Sequence, residues 1–371
     1  MTERSTTDPH QAALTLRDLV VHGDVIVCTG SGGVGKTTTA AVIALEGAKL
    51  GRKTCVVTID PAKRLADALG LAGLTNEPSR IEGPWPGELS ALMLDTKTTF
   101  DDLVVKHAED PDQAGRILEN RFYRNISSAL SGTQEYMAME KLYELHEESD
   151  FDLVVVDTPP TRNALDFLEA PRRLTRFLDH RLYRIVTAPT RGILRAANVA
   201  AQSILRTVSK VVGAEVVEDA VAFFQAFDGM EQGFKDRAKH VIDLLTHERT
   251  AFVLVTAPRH DVVSEATFFA ARLHDADIPV RALIVNRMHP HFSDASPTAT
   301  RERAHSYAGT DLGGLYDNLA DFLLVASREE DHLRGLAERL APAPVVRVPY
   351  LRSDVHDLDG LYEIAHHLFD A

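Results

Sequence analysis

CTGSGGVGKTTTA, running from Cys28 to Ala40, decides the fold. Within it Gly30, Ser31, Gly32, Gly33, Val34, Gly35, Lys36 and Thr37 fit the pattern G-x-x-x-x-G-K-[ST]; the apolar run DVIVCTG leads into it, and the helically spaced TTTAAVIALEGAKLG overlaps its end. Glycines let the main chain wrap close to phosphate groups. The N–H groups of the loop, and of a helix opening near Thr38, then face the negative charge. Lys36 can reach the β- and γ-phosphates, and the Thr37 hydroxyl can ligate magnesium.

Outward from this loop, β-rich apolar runs recur: KTCVVTID (53–60), ALMLD (91–95), DLVVVDTPP (152–160), AFVLVTAP (251–258), VRALIVN (280–286) and PVVRVP (344–349). Continuous apolar strands suit a parallel sheet covered on both faces, and helical spacing between them predicts a doubly wound α/β fold of the P-loop NTPase kind. Gly51 is a helix stop, and Ser264 in SEATFFAARLHDAD a candidate N-cap. Two gaps, about 96–150 and 162–248, are too long for ordinary crossovers and read as helical. They predict a helical subdomain inserted between strands of one sheet, with 1–371 as a single domain. Asp60 and Asp157 each close a strand, where open α/β sheets bind ligands. Asp157 is the candidate magnesium ligand beside Thr37, and the set points to phosphoryl transfer.

Composition narrows the classes. The chain has 371 residues, 44% of them hydrophobic, and a net charge of −14. That charge disfavours binding to nucleic acid or anionic lipid. The first twenty residues do not read as a signal peptide and no apolar run reaches a membrane span, so a soluble, cytoplasmic protein without membrane insertion is expected. Cys28 and Cys55 sit in apolar runs and read as core residues, with no CxxC anywhere.

The stretches GSGGVGKTTTA, TIDPAKRLADALG (58–70), VVDTPPTRNAL (155–165) and LIVNRM (283–288) resemble the arsenite-pump ATPase family, which also contains the ATPase of the guided-entry pathway for tail-anchored membrane proteins. FFQAFDGMEQGF and VPYLRSDVHDLDGL (348–361) match more weakly. The resemblance implies a first switch in DPAKRLAD, with Asp60 polarising the attacking water. It implies a second switch, Asp157 to Thr161, that senses the γ-phosphate. Asn286 would read the adenine and the loop from Pro349 would close over the base; lack of an NKxD motif favours ATP over GTP. The family places its nucleotide at a dimer interface and a client-binding or regulatory surface on its helices.

Several positions depart from that pattern. The usual loop reads GKGGVGKT, whose first lysine reaches the partner's phosphates; here the position is Ser31. An arginine finger in trans is worth about 10³–10⁵ in rate, so losing an analogous lysine would cost about 4–7 kcal/mol of transition-state stabilisation. A homodimer should hydrolyse ATP slowly, and a heterodimer with a lysine-bearing paralogue is favoured. Arg259 stands where relatives carry glutamate, either as an exposed surface residue or as part of a remodelled interface. Without CxxC, no zinc is expected, His289 and His291 being a poor ligand set, and arsenite has no cysteine cluster. Met137 and Met139 give only a weak signal for a client groove. The readings left are an ATP-hydrolysing dimeric switch, a nucleotide-binding scaffold or regulatory subunit, and a membrane-protein targeting factor.

Overall fold

The computed structural model describes residues 14–60, 64–126, 133–159, 169–170, 172–173, 175–176, 179 and 213–370. The elements begin with α1 (Leu16–His22), β1 (Val25–Thr29), α2 (Lys36–Lys49), β2 (Lys53–Thr58), α3 (Arg64–Ala68), β3 (Ser79–Ile81) and β4 (Glu88–Met93). A helical stretch follows, α4 (Thr96–His107), α5 (Pro111–Leu118), α6 (Arg121–Ile126) and α7 (Thr133–Glu147), before β5 (Leu153–Asp157). Then come α8 (Ala214–Ala226), α9 (Glu231–Thr246), β6 (Thr250–Thr256), α10 (His260–Asp275) and β7 (Val280–Met288). The chain closes with α11 (Pro297–Ser306), α12 (Asp311–Leu340), β8 (Val345–Pro349) and α13 (Leu358–Phe369).

The strands form one eight-stranded sheet in the order β3-β4-β2-β5-β1-β6-β7-β8. Pairing is parallel throughout except at the edge, where β3 runs antiparallel to β4. β1 lies between β5 and β6 and all its residues are buried. Because side chains alternate across a strand, Val25 and Val27 enter one core with Met137, Met139, Phe223 and Phe234, whereas Ile26 and Cys28 enter the other with α2 and α13. The long helical excursions therefore cover one face, and α1, α2 and α13 the opposite one. Both cysteines are buried, and burial pushes the Cys55 thiol up to about 12.

Every strand read from the sequence is present. β3 is additional, and its three residues are too few to show a period. Ser264 is not an N-cap: α10 starts earlier, with Arg259 at the cap, and the Ser264 hydroxyl bonds back to the His260 carbonyl at 2.8 Å inside the helix. Within the second gap, residues 214–246 form two helices, α8 and α9, parted at Gly229, which adopts φ +91°. α8 packs on α5 and α6, and α9 on α7, so described parts of both predicted helical gaps share one core. Most of 160–212 lies outside the described residues. A third excursion, between β7 and β8, carries α11 and the 30-residue α12 against each other.

Candidate functional site

β1 delivers the phosphate loop to the carboxyl edge of the sheet, and β2, β5 and β7 end beside it with Asp60, Asp157 and Asn286. Two glycines of the loop are fixed by geometry. Gly30 has φ +148° and a Cβ there would lie 2.0 Å from the Val255 carbonyl oxygen; at Gly35, φ +97°, it would lie 2.2 Å from Asn286 Nδ2. Gly35 caps α2, whose first turn holds Lys36, Thr37 and Thr38 and contains no acidic residue to compete for its N–H groups.

Lys36 is only 6% exposed, and its ammonium donates to the Ser31 carbonyl at 2.8 Å. Burial pulls its pKa down, while Asp157 and Asp60 pull it up. Thr37 Oγ1 donates to Asp157 Oδ2 at 2.8 Å, and Thr58 Oγ1 donates to the same oxygen at 2.9 Å. Asp157 is 1% exposed, yet its other oxygen, Oδ1, is buried with no hydrogen-bond partner. Burial raises its pKa to about 6, against the lowering by Thr37, Thr58 and Lys36. A buried carboxylate oxygen left unmatched beside a threonine hydroxyl fits a hard divalent cation such as magnesium.

Asp60 follows β2, half-buried, with its backbone N–H donating to Thr58 Oγ1 at 3.2 Å and its carboxylate 3.9 Å from Arg64. Thr58 thus touches both acidic strand ends. Pro61, Ala62 and Lys63 of the first switch, and Pro160 and Thr161 of the second, lie outside the described residues. Thr158 is described and buried; its hydroxyl donates to the Cys28 carbonyl at 2.8 Å.

Asn286 braces the loop, donating from Nδ2 to the Val34 carbonyl at 3.0 Å. Its neighbour Arg287, in the left-handed region at φ 63°, donates to the Gly33 carbonyl at 3.0 Å. Pro349 is in register with Met288, and the Tyr350 N–H donates to the Met288 carbonyl at 2.9 Å, which places the start of the following loop two residues along β7 from Asn286. Ser31 Oγ donates to Glu265 Oε2 on α10 at 2.7 Å. Arg259 is exposed and pairs with Asp261 at 2.7 Å. His289 bonds Glu329 at 2.6 Å, and among the described residues no group of three or more His, Cys, Asp or Glu could hold a metal. Met137 and Met139 are buried core residues.

Thr58, Arg287, Glu265 and Gln134 were not legible as site residues. Gln134, on α7, donates from Nε2 to the Ile59 carbonyl at 3.1 Å, next to Asp60. Thr58 and Arg287 flank candidates that the sequence does show; Glu265 and Gln134 reach the site from distant helices and carry no local signal.

The chain is 32% identical over 153 residues to "ATPase GET3" of Malassezia globosa, covering 41% of this chain and 44% of the relative. It is 28% identical over 280 residues to "ATPase GET3B" of Arabidopsis thaliana, covering 70% and 63%. With "ATPase ASNA1 homolog 1" of Paramecium tetraurelia it shares 24% identity over 314 residues, covering 83% and 87%. The match spans less than two thirds of the first two relatives. The sequence profile of the anion-transporting ATPases runs from residue 23 to residue 370, through every strand of the sheet and all the loop ends described above, in line with the resemblance carried by the loop and strand-end motifs. The chain belongs to the anion-transporting ATPase family.

Proposed function

We propose that this chain is a magnesium-dependent ATPase that acts as one half of a dimeric switch. The observation that carries the reading is the unmatched, buried Oδ1 of Asp157, set beside the Thr37 hydroxyl at the mouth of a phosphate loop. The loop N–H groups and the N-terminus of α2 bind the phosphates. Lys36 exchanges the Ser31 carbonyl for β- and γ-phosphate oxygens. Thr37 and Asp157 would hold magnesium, which when bound neutralises charge on those oxygens. Asp60 orients the attacking water and accepts its proton.

Magnesium titration of ATP hydrolysis tests this assignment. Asp157→Asn is expected to raise the magnesium concentration needed for half-maximal rate by about tenfold or more, the scale on which ligand-shell changes act. A variant with the wild-type magnesium curve would refute it.

The bond from Gln134 to Ile59 ties α7 to the residue before Asp60, and Arg237 on α9 is in turn bonded to Glu140 on α7 at 2.7 Å. Changes at the γ-phosphate would pass along this route to the helices, in the manner of other nucleotide switches. In α4–α7 and α8–α9, the described large hydrophobic residues that are exposed are Val105 and Val216. Among the described residues no helix is long and apolar enough to cross a membrane.

One observation favours a second reading, a nucleotide-holding subunit with little turnover of its own. Position 31 carries no cation, and its hydroxyl is engaged by Glu265 of the same chain. In the switch reading, by contrast, the partner is a paralogue whose lysine at this position would restore the missing charge to this chain's site. Mixing the chain with such a paralogue is expected to raise hydrolysis at this site toward the about 10³-fold that marks the lower end of arginine-finger effects. Equal rates alone and mixed would remove the heterodimer.

A further inference from the structure

We propose that Glu265 is a positioning residue for nucleotide binding: it fixes Ser31, and through Ser31 the resting place of Lys36. The inference rests on the ATPase reading and concerns how the loop is prepared for its ligand. Both sides of residue 31 are engaged. Its hydroxyl donates to Glu265 Oε2 at 2.7 Å, while its carbonyl accepts from Lys36 Nζ at 2.8 Å. A hydrogen bond to an ionised acceptor is stronger than a neutral one. It is the brace of this half of the loop, where Gly30, Gly32 and Gly33 surround Ser31 and offer no side chain to pack.

The other half is braced separately, by Asn286 on the Val34 carbonyl and Arg287 on the Gly33 carbonyl. Clamps from β7 and from α10 therefore grip the loop on either side of the position the phosphates take. A loop already held in one shape loses less conformational freedom when its ligand arrives, and that difference appears as affinity. Glu265 acts in two opposed ways. Its hydrogen bond orders the loop, but its negative charge opposes a polyphosphate. Glutamine separates them, because its amide oxygen accepts the same hydroxyl without the charge.

The experiment is calorimetric titration of ADP with magnesium into the full-length chain and its variants, alongside steady-state ATP hydrolysis. Glu265→Ala and Ser31→Ala are each expected to weaken ADP binding about threefold to tenfold, the scale of one ordinary hydrogen bond in net terms. The double variant should bind no more weakly than either single one, because the two residues share one interaction. Glu265→Gln should bind at least as tightly as wild type. The kcat of Glu265→Ala should stay within about twofold of wild type while KM rises, since Glu265 touches no reacting atom.

Wild-type affinity in both alanine variants would overturn the proposal. So would multiplicative losses in the double variant, a Glu265→Gln as weak as Glu265→Ala, or a fall in kcat without a rise in KM. A wild-type chain that bound no ADP would instead sink the ATPase reading. Glu265 is exposed and Ser31 half-buried, so thermal melts of all variants should coincide with wild type.

Discussion

Asp60→Asn is expected to lower single-turnover ATP hydrolysis by about 10²–10⁴-fold, the range for removal of a positioned general base. Asparagine keeps the shape and the backbone bond to Thr58, which is made by the residue-60 N–H and not by the side chain. What it lacks is a site for the proton of the attacking water. ATP affinity, measured with a fluorescent analogue, should stay within about twofold, because binding falls to the loop, Lys36 and the end of α2. Hydrolysis at an undiminished rate would show that the water is activated elsewhere and would reduce the carboxylate of Asp60 to a partner of Arg64. The assay is best run on the chain in its most active assembly, so that the fall is read against a rate well above background.

Arg237→Ala is expected to destabilise the protein by about 3–5 kcal/mol, the cost of leaving a buried charge without its partner. Glu140 is 1% exposed, and Arg237 Nε meets its Oε2 at 2.7 Å while NH1 reaches Glu148 Oε1 at 2.6 Å. The guanidinium also lies over the Tyr143 ring, 4.1 Å from its centroid, so the change removes packing as well as charge. Burial already holds the Glu140 carboxyl above its usual range, with Tyr136 and Arg237 acting against that rise. Denaturant titration checks the loss. The combined replacement Glu140→Leu, Arg237→Met and Tyr136→Phe should recover most of the stability, since it leaves neither a buried charge nor the Tyr136 hydroxyl, which donates to Glu140, without a partner. A single variant as stable as wild type would show that Glu140 is protonated or solvated without its partner.

What the chain revealed in advance follows the range of the forces involved. The phosphate loop was legible because its chemistry is local: closely spaced glycines, one lysine and one threonine must be adjacent for the cradle to form. The strands were legible because burial on both faces leaves a continuous apolar run. Asp60 and Asp157 could be picked out as acids ending such runs. Thr58 could not be, since a threonine inside a strand satisfies β propensity whether or not its hydroxyl is used. Glu265 and Gln134 depend on helices that fold back from far along the chain, so nothing near them in sequence marks them. The α11–α12 excursion was hidden for another reason. α12 leaves Leu312, Leu315, Phe322, Leu324 and Val325 exposed, which blurs the division of faces that marks a helix packed along one side.

Thr58 and Asp157 are register partners on neighbouring strands, and one hydroxyl joins the Asp157 carboxylate to the backbone of Asp60. The two acids are thereby spaced by the repeat of the sheet itself, much as marks are spaced on a ruler. In the switch proposed above, loops would swing and helices tilt while that spacing stays fixed. Under that reading, substitutions that tune the timing of the switch would accumulate in the helical excursions without detuning the chemistry.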